Sequence, residues 1–241
     1  MNAPSSSNSP VAGAQEPKAL VVAIDGPAGV GKSTVARLLA RRLGVPYLDT
    51  GAMYRAMGLK LLRAGEDPAA RSAAARFAAE TEISLRPDPH GNLRVLLDGE
   101  EVESQLRSPE VSSAASSVAT HPEVRHRMVE LQRAAGEVTG GVLEGRDIGT
   151  RVFPQTPHKF FLEAQMETRV ARRFEQMKAK DPSLDLQALQ QEMEERDHRD
   201  RNRSEAPLTY DETYHLVDTT ELTIDQVVEA MAAQVEERLS S

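Results

Sequence analysis

The sequence contains no cysteine in its 241 residues, and that one absence removes disulfides, thiolate metal sites, zinc knuckles and cysteine nucleophiles together. The chain is indifferent to redox compartment, and a cytoplasmic location is the simplest expectation. It also lacks any apolar run long enough to cross a membrane. Residues 1–18, rich in Ser, Pro, Ala and Asn, have neither the basic start nor the apolar centre of a signal peptide, so they read as a disordered tail. Positive charge is short as well. Lys plus Arg number 29 against 37 Asp plus Glu, a net charge of −8, which argues against sequence-independent nucleic-acid binding, because that needs a net basic face to release counterions. Within the basic complement 23 residues are Arg and 6 are Lys. The planar guanidinium fork is the better bidentate phosphate ligand, although a high-GC coding bias gives the same skew. There is no internal repeat, and one main domain with an inserted subdomain is expected for this length.

What the chain does contain is a glycine-rich turn, Gly26-Pro27-Ala28-Gly29-Val30-Gly31-Lys32-Ser33, directly after the apolar run Leu20 to Ile24. Glycines let the backbone fold tightly around an anion, successive N–H groups and a helix N-terminus point at phosphate oxygens, Lys32 adds charge, and Ser33 can ligate Mg²⁺. The following segment repeats apolar Val35, Leu38, Leu39 and Leu43 on one helical face and stops at Gly44. A strand, a phosphate-binding turn and a helix are thus predicted in order.

Further along, Pro46 to Thr50 reads as a short strand whose polar end caps a helix from about Gly51 to Gly65. Another helix is expected after Pro68. Ile83 and Leu85, then Leu93, Val95 and Leu97, alternate with polar residues around a Pro87–Asn92 turn, which predicts a β-hairpin with a third short strand near Val102: a small antiparallel patch inserted in an otherwise βα chain. Two helices follow, from Ser108-Pro109 and from Thr120-His121-Pro122-Glu123, the second with Thr120 and Glu123 at capping-box spacing. Strands are expected at Val142-Leu143, His158–Leu162 and His215–Asp218, and helices from about Thr168 to Met177, from Leu186 to Arg203 and after Asp218. Alternating strands and helices imply an α/β fold whose parallel sheet is covered on both faces, with ligands at the carboxyl ends of the strands. Three polar clusters, Asp25 to Ser33, Asp49 to Arg55 and Glu144 to Asp147, begin where apolar strands stop, so they are expected to converge on one crevice.

A run without apolar residues, Arg196 to Arg203, places Arg196, Asp200 and Arg203 on one helical stripe. A solvated, salt-bridged face is the bland reading; organisation by an anionic ligand is the functional one. Two phosphate groups that must meet repel each other, so a phosphoryl-transfer site needs many fixed cations, and Lys32, Arg55, Arg146, Arg169, Arg173, Arg196 and Arg203 are available. A phosphate acceptor, with a second pKa of about 6, needs no strong general base, so positioning and charge neutralisation suffice. A hydroxyl acceptor would call for a carboxylate such as Asp49 or Asp147. A guanine-reading Asn-Lys-x-Asp motif, which a GTPase switch requires, is missing.

Four motifs in order, Ile24–Ser33, Leu48-Asp49-Thr50-Gly51-Ala52-Met53-Tyr54-Arg55, Glu144–Thr150 with Val152-Phe153-Pro154, and Arg196-Asp197 through Arg203, resemble bacterial cytidylate kinases of the nucleoside monophosphate kinase superfamily. The likeness runs from about Leu20 to the C-terminus. It implies a P-loop NTPase-type three-layer fold over residues 19–241, with a core of 19–50, 140–165 and 204–241, a monophosphate-binding region with the β insertion at 51–139, and a helical lid with flanking helices at 166–203. It further implies ATP-dependent phosphorylation of CMP and dCMP by in-line transfer with Mg²⁺. On this likeness Gly26 to Thr34 hold ATP phosphates, with Ser33 at the metal. Thr50, Tyr54 and Arg55 line the monophosphate pocket, and Arg55, Arg146 and Arg203 reach the acceptor phosphate. Ser116, Arg125 and Asp147 match the cytosine readers, Arg196 and Asp200 the sugar contacts, and Arg169 and Arg173 the lid arginines that close over the transferring group. Bland readings remain for two of these: Ser116 as a small packing residue and Arg125 as a surface arginine. A monomer is the default expectation.

Overall fold

The computed structural model describes residues 19–179 and 181–240; the expected tail over 1–18 lies outside them. Strand β1 (Val21–Asp25) leads through the glycine turn into helix α1 (Lys32–Leu43), which stops where Gly44 takes a left-handed φ of 66°. β2 (Tyr47–Asp49) follows, and the Asp49 carboxylate caps α2 (Thr50–Arg63) by accepting from the Ala52 N–H. After α3 (Arg71–Glu80) come β3 (Ile83–Pro87), β4 (Asn92–Leu97) and the two-residue β5 (Glu100–Glu101). Helices α4 (Pro109–Val118) and α5 (Pro122–Thr139) precede β6 (Gly141–Gly145), a π-helical turn over Ile148–Val152, and β7 (His158–Glu163). The chain closes with α6 (Met166–Lys178), α7 (Leu186–Asn202), β8 (His215–Asp218) and α8 (Ile224–Leu239).

The sheet runs β3-β4-β2-β6-β1-β7-β8 with β5 paired to β4. Every pairing from β4 to β8 is parallel, and β3 and β5 run antiparallel to β4. The hairpin is therefore not a separate patch: β4 pairs with β2 in the register Tyr47↔Asn92 and extends the main sheet. The alternation of β1 explains the layers. Val22 and Ile24 pack with Val35 and Leu39 of α1 and Met231 and Val235 of α8, while Ala23 joins Leu48, Leu143, Ile148 and Val152 on the other face. A further cluster buries Met53, Met57, Ile83, Val95, Leu97, Val118 and Met128 between α2 to α5 and the hairpin. The expected Thr120–Glu123 box does not form. His121 is the α5 N-cap but its ring pairs with Pro68 O rather than capping the helix, the Thr120 hydroxyl donates back to Ser117 O, and Glu123 binds Arg71.

Candidate active site

The carboxyl ends of β1, β2 and β6 open into one cavity of about 390 Å³ lined by all three polar clusters, with Lys32 and Arg146 facing the same space. The phosphate loop forms its floor. Gly26 adopts φ 147°, and a Cβ there would meet Leu162 O at 2.1 Å, so only glycine fits the first bend. Ala28, Gly29, Gly31, Lys32, Ser33 and Thr34 line the cavity; Gly26 and Pro27 are buried and do not line it, and Val30 is buried in the core. Lys32 is buried and donates to Pro27 O at 2.6 Å. Burial pushes its ammonium well below the usual lysine range, Arg146 pushes the same way, and Glu144 opposes.

Opposite the loop stands a mesh of guanidinium and carboxylate groups. Arg55 pairs with Asp49 at 2.6 Å, and Arg146 with Asp200 at 2.8 Å. Arg125 and Asp147, both nearly inaccessible, form a direct ion pair, and Arg125 also donates to Ala119 O and lies 5.6 Å from the Tyr54 ring centroid. This rules out a surface role for Arg125. Arg203 sits 3.8 Å from both Asp147 and Asp200 and donates to Ala206 O at 2.6 Å. Thr50 Oγ1 donates to Glu144 O at 2.6 Å. Ser116 lines the cavity with its hydroxyl buried and, among the described residues, unpartnered. The close packing that its neighbourhood suggested belongs to Ala114 and Ala115, which leave no room for a Cβ on Gly58 of α2.

The wall carries seven cationic side chains against five carboxylates, the reverse of the chain's overall balance. The excess is felt electrostatically. Burial and then the neighbouring Arg146 lower the Arg196 pKa to about 10, and burial and then Arg125 lower that of Arg203. Among the described residues Arg196 Nε and Arg203 Nη2 are buried without hydrogen-bond partners. For Asp200 the upward push of burial is outweighed by Arg146 and Arg196, and its carboxyl is held down as an anion. Donors left open and cations crowded together are an arrangement that an anion such as phosphate can satisfy.

One of the expected arginines stands elsewhere. Arg169 does not line the cavity. It is buried, pairs with Asp197 at 2.6 Å and donates to Ala28 O and Ala164 O at 3.1 Å each, so in this structure it clamps α6 and α7 to the back of the phosphate loop. Arg173, one turn on, does reach the cavity. Sequence reasoning gave no role to Glu144, which accepts from Tyr47 Oη at 2.6 Å beside Lys32, or to Asp197. The signal for Glu144 was its position at a strand end among polar neighbours; Asp197 had none beyond its place in the charged run.

A family model described as cytidylate kinase matches residues 22–237. The chain is 48% identical over 214 residues to the cytidylate kinase of Pelotomaculum thermopropionicum, covering 89% of this chain and 95% of that one. It is 45% identical over 210 residues to the cytidylate kinase of Symbiobacterium thermophilum, covering 87% and 93%. Among solved structures, an uncharacterized protein from Eubacterium ventriosum superposes with a TM-score of 0.51 at 14% identity, over 91% of this chain and 99% of that one, a likeness that bears on the fold alone.

Proposed function

The chain belongs to the cytidylate kinase family, and from that premise we propose that it transfers the γ-phosphoryl group of ATP to CMP and dCMP, giving ADP and CDP or dCDP. The observation that carries this reading is one cavity with a phosphate loop at one end and the buried Arg125–Asp147 pair, Ser116 and the arginine mesh at the other. The donor's phosphates lie along Gly26 to Thr34 with Lys32. The acceptor's phosphate is held by Arg55, Arg146 and Arg203, and its sugar by Arg196 and Asp200, with Thr50 and Tyr54 forming the pocket wall. Cytosine offers an exocyclic amino donor to Asp147, and a carbonyl and ring nitrogen to Arg125 and Ser116. These contacts favour cytidine over uridine, whose carbonyl at the same place would face the carboxylate.

The acceptor phosphate enters already ionised, so catalysis is positioning and charge neutralisation by fixed guanidinium groups, with Arg173 reaching the transferring group from the lid. Residues 51–139 serve as the acceptor-binding region, 166–203 as the lid, and 19–50, 140–165 and 204–241 as the core. Among the described residues no three His, Cys, Asp or Glu side chains gather as a metal site. A cation here would instead take the Ser33 hydroxyl, phosphate oxygens and water, an all-oxygen set that suits Mg²⁺. The chemistry Mg²⁺ supplies when bound is neutralisation of phosphate charge. ATP and CMP or dCMP are the expected partners, the protein acting as a monomer in the cytoplasm; among the described residues no helix is long and apolar enough to cross a membrane. A coupled assay with ATP, Mg²⁺ and a panel of CMP, dCMP, UMP and AMP tests the reading. Fast turnover of the two cytidylates is expected, and equal rates with all four acceptors, or none with any, would overturn it.

A further inference from the structure

Asp25 closes β1 one residue before the phosphate loop, is 0% exposed, and does not line the cavity. Its Oδ1 accepts from the Ile148 N–H at 2.9 Å, and its Oδ2 accepts from the Gly149 N–H at 2.9 Å and from Tyr214 Oη at 2.8 Å. Among the described residues no lysine, arginine or histidine forms an ion pair with it. Three donors with no countercharge describe a carboxylate used as a hub for hydrogen bonds. Ile148 and Gly149 follow Asp147 directly and begin the π-helical turn, which has no side-chain cap of its own. Slack around the hub is small: a Cβ on Gly149 would lie 2.5 Å from Tyr214 Oη, and one on Gly145 2.8 Å from the Ile148 side chain.

We propose that Asp25 is a positioning residue that locks the start of the phosphate loop to the turn carrying Arg146 and Asp147, and so fixes the separation of the donor and acceptor halves of the site. The proposal rests on the two-nucleotide reading of the cavity. β1 and β6 already lie side by side, with Asp25 opposite Gly145 in the parallel register. Beyond that pair their chains diverge into the two halves, and the Asp25 carboxylate ties them again. Tyr214, on the segment between α7 and β8, is the third strut. In Asp25→Asn the new amide N–H faces one of the two backbone N–H groups, whichever way it is turned, so one arm of the lock opens. Tyr214→Phe removes the third strut and leaves both backbone donors paired.

Calorimetry with ATP alone, CMP alone and a pentaphosphate-linked adenosine–cytidine bisubstrate, alongside steady-state rates, separates positioning from folding. For Asp25→Asn we expect each single nucleotide to bind within about 3-fold of wild type, the linked compound to lose at least about 10-fold in affinity, and kcat to fall about 100-fold, the size of effect that follows a misplacement near 1 Å. Tyr214→Phe is expected to lose about 3-fold for the linked compound only, a fraction of the full lock, and it carries the same comparison if Asp25→Asn does not fold. Single nucleotides weakened as much as the linked compound, or linked-compound affinity unchanged in Tyr214→Phe, would overturn the proposal. A wild-type protein that binds ATP but not CMP would instead overturn the reading of the cavity, a result visible before any variant is made.

Discussion

Removal of the Arg169 guanidinium exposes the difference between a clamp and a lid. Arg169 and Asp197 are 5% and 6% exposed, and the pair at 2.6 Å is joined by two bonds from Arg169 to backbone carbonyls. Among the described residues Asp197 Oδ1 has no hydrogen-bond partner, and Arg169 is the residue that forms an ion pair with this carboxylate. Arg169→Met strands a buried carboxylate, at a cost of about 3–5 kcal/mol. With a urea slope of about 2.5 kcal/mol/M, a loss of about 4 kcal/mol moves the unfolding midpoint down by about 1.6 M. Arg169→Met/Asp197→Leu removes both charges. It should recover most of that loss, leaving about 1–2 kcal/mol from the two unpaired carbonyls. Urea unfolding followed by circular dichroism on the four proteins of this cycle gives the coupling energy. Additive single-variant losses, or a loss under about 1 kcal/mol for Arg169→Met, would refute the clamp. A residue acting only on the transferring group would lower kcat and leave the midpoint in place.

Asp147→Asn should reduce the preference for CMP over UMP more than it reduces the rate at saturating ATP, as read from kcat/KM for the two acceptors; unchanged selectivity contradicts the base-reading role. Arg196→Met should raise the melting temperature of the nucleotide-free protein by about 2–4 °C, because it removes a cation crowded by Arg146. It should also weaken CMP, and a melting temperature that falls instead would show that Arg196 is structural. Burial raises the Asp25 pKa from 3.8 to about 6 against its hydrogen bonds. The folded state therefore holds this proton more tightly than the unfolded chain. The stability it contributes is complete below pH 3.8 and is lost as pH rises to about 6, a swing of about 3 kcal/mol. The unfolding free energy of wild type minus that of Asp25→Asn should shrink by about that amount between pH 4 and pH 7, and a difference that stays flat contradicts it.

The phosphate loop, its flanking strand and helix, and the order of strands and helices were legible because each is written locally, in glycine placement and in apolar periodicity. The crevice was legible because the three polar clusters sit at strand ends, where a parallel sheet collects its ligands. The place of the hairpin was not, since the pairing of Asn92 with Tyr47 joins residues far apart and leaves no mark on either strand. Capping-box spacing at Thr120 and Glu123 misled because spacing does not say which residue begins the helix. Pro122 sets that start, and Glu123 turns to Arg71. Arg169 and Arg173 stand one turn apart and look alike in sequence. Only the third dimension separates them, by placing Asp197 and Ala28 O beside the first. Asp25 was expected at the crevice with the rest of its polar cluster, yet it lies behind the lining, and its hydrogen-bonding role was hidden for the same reason, its three donors lying 123, 124 and 189 residues away.

If the phosphate loop and the distant arginines act as a single two-phosphate site, loss of the γ-phosphoryl group from ATP is tied to the acceptor, and rapid-quench transfer from γ-labelled ATP reads that tie. With CMP present the label should appear in CDP at the rate at which it leaves ATP, and without CMP the ATP should persist. Label released as inorganic phosphate at the same rate with or without CMP would show that the two halves do not act as one site.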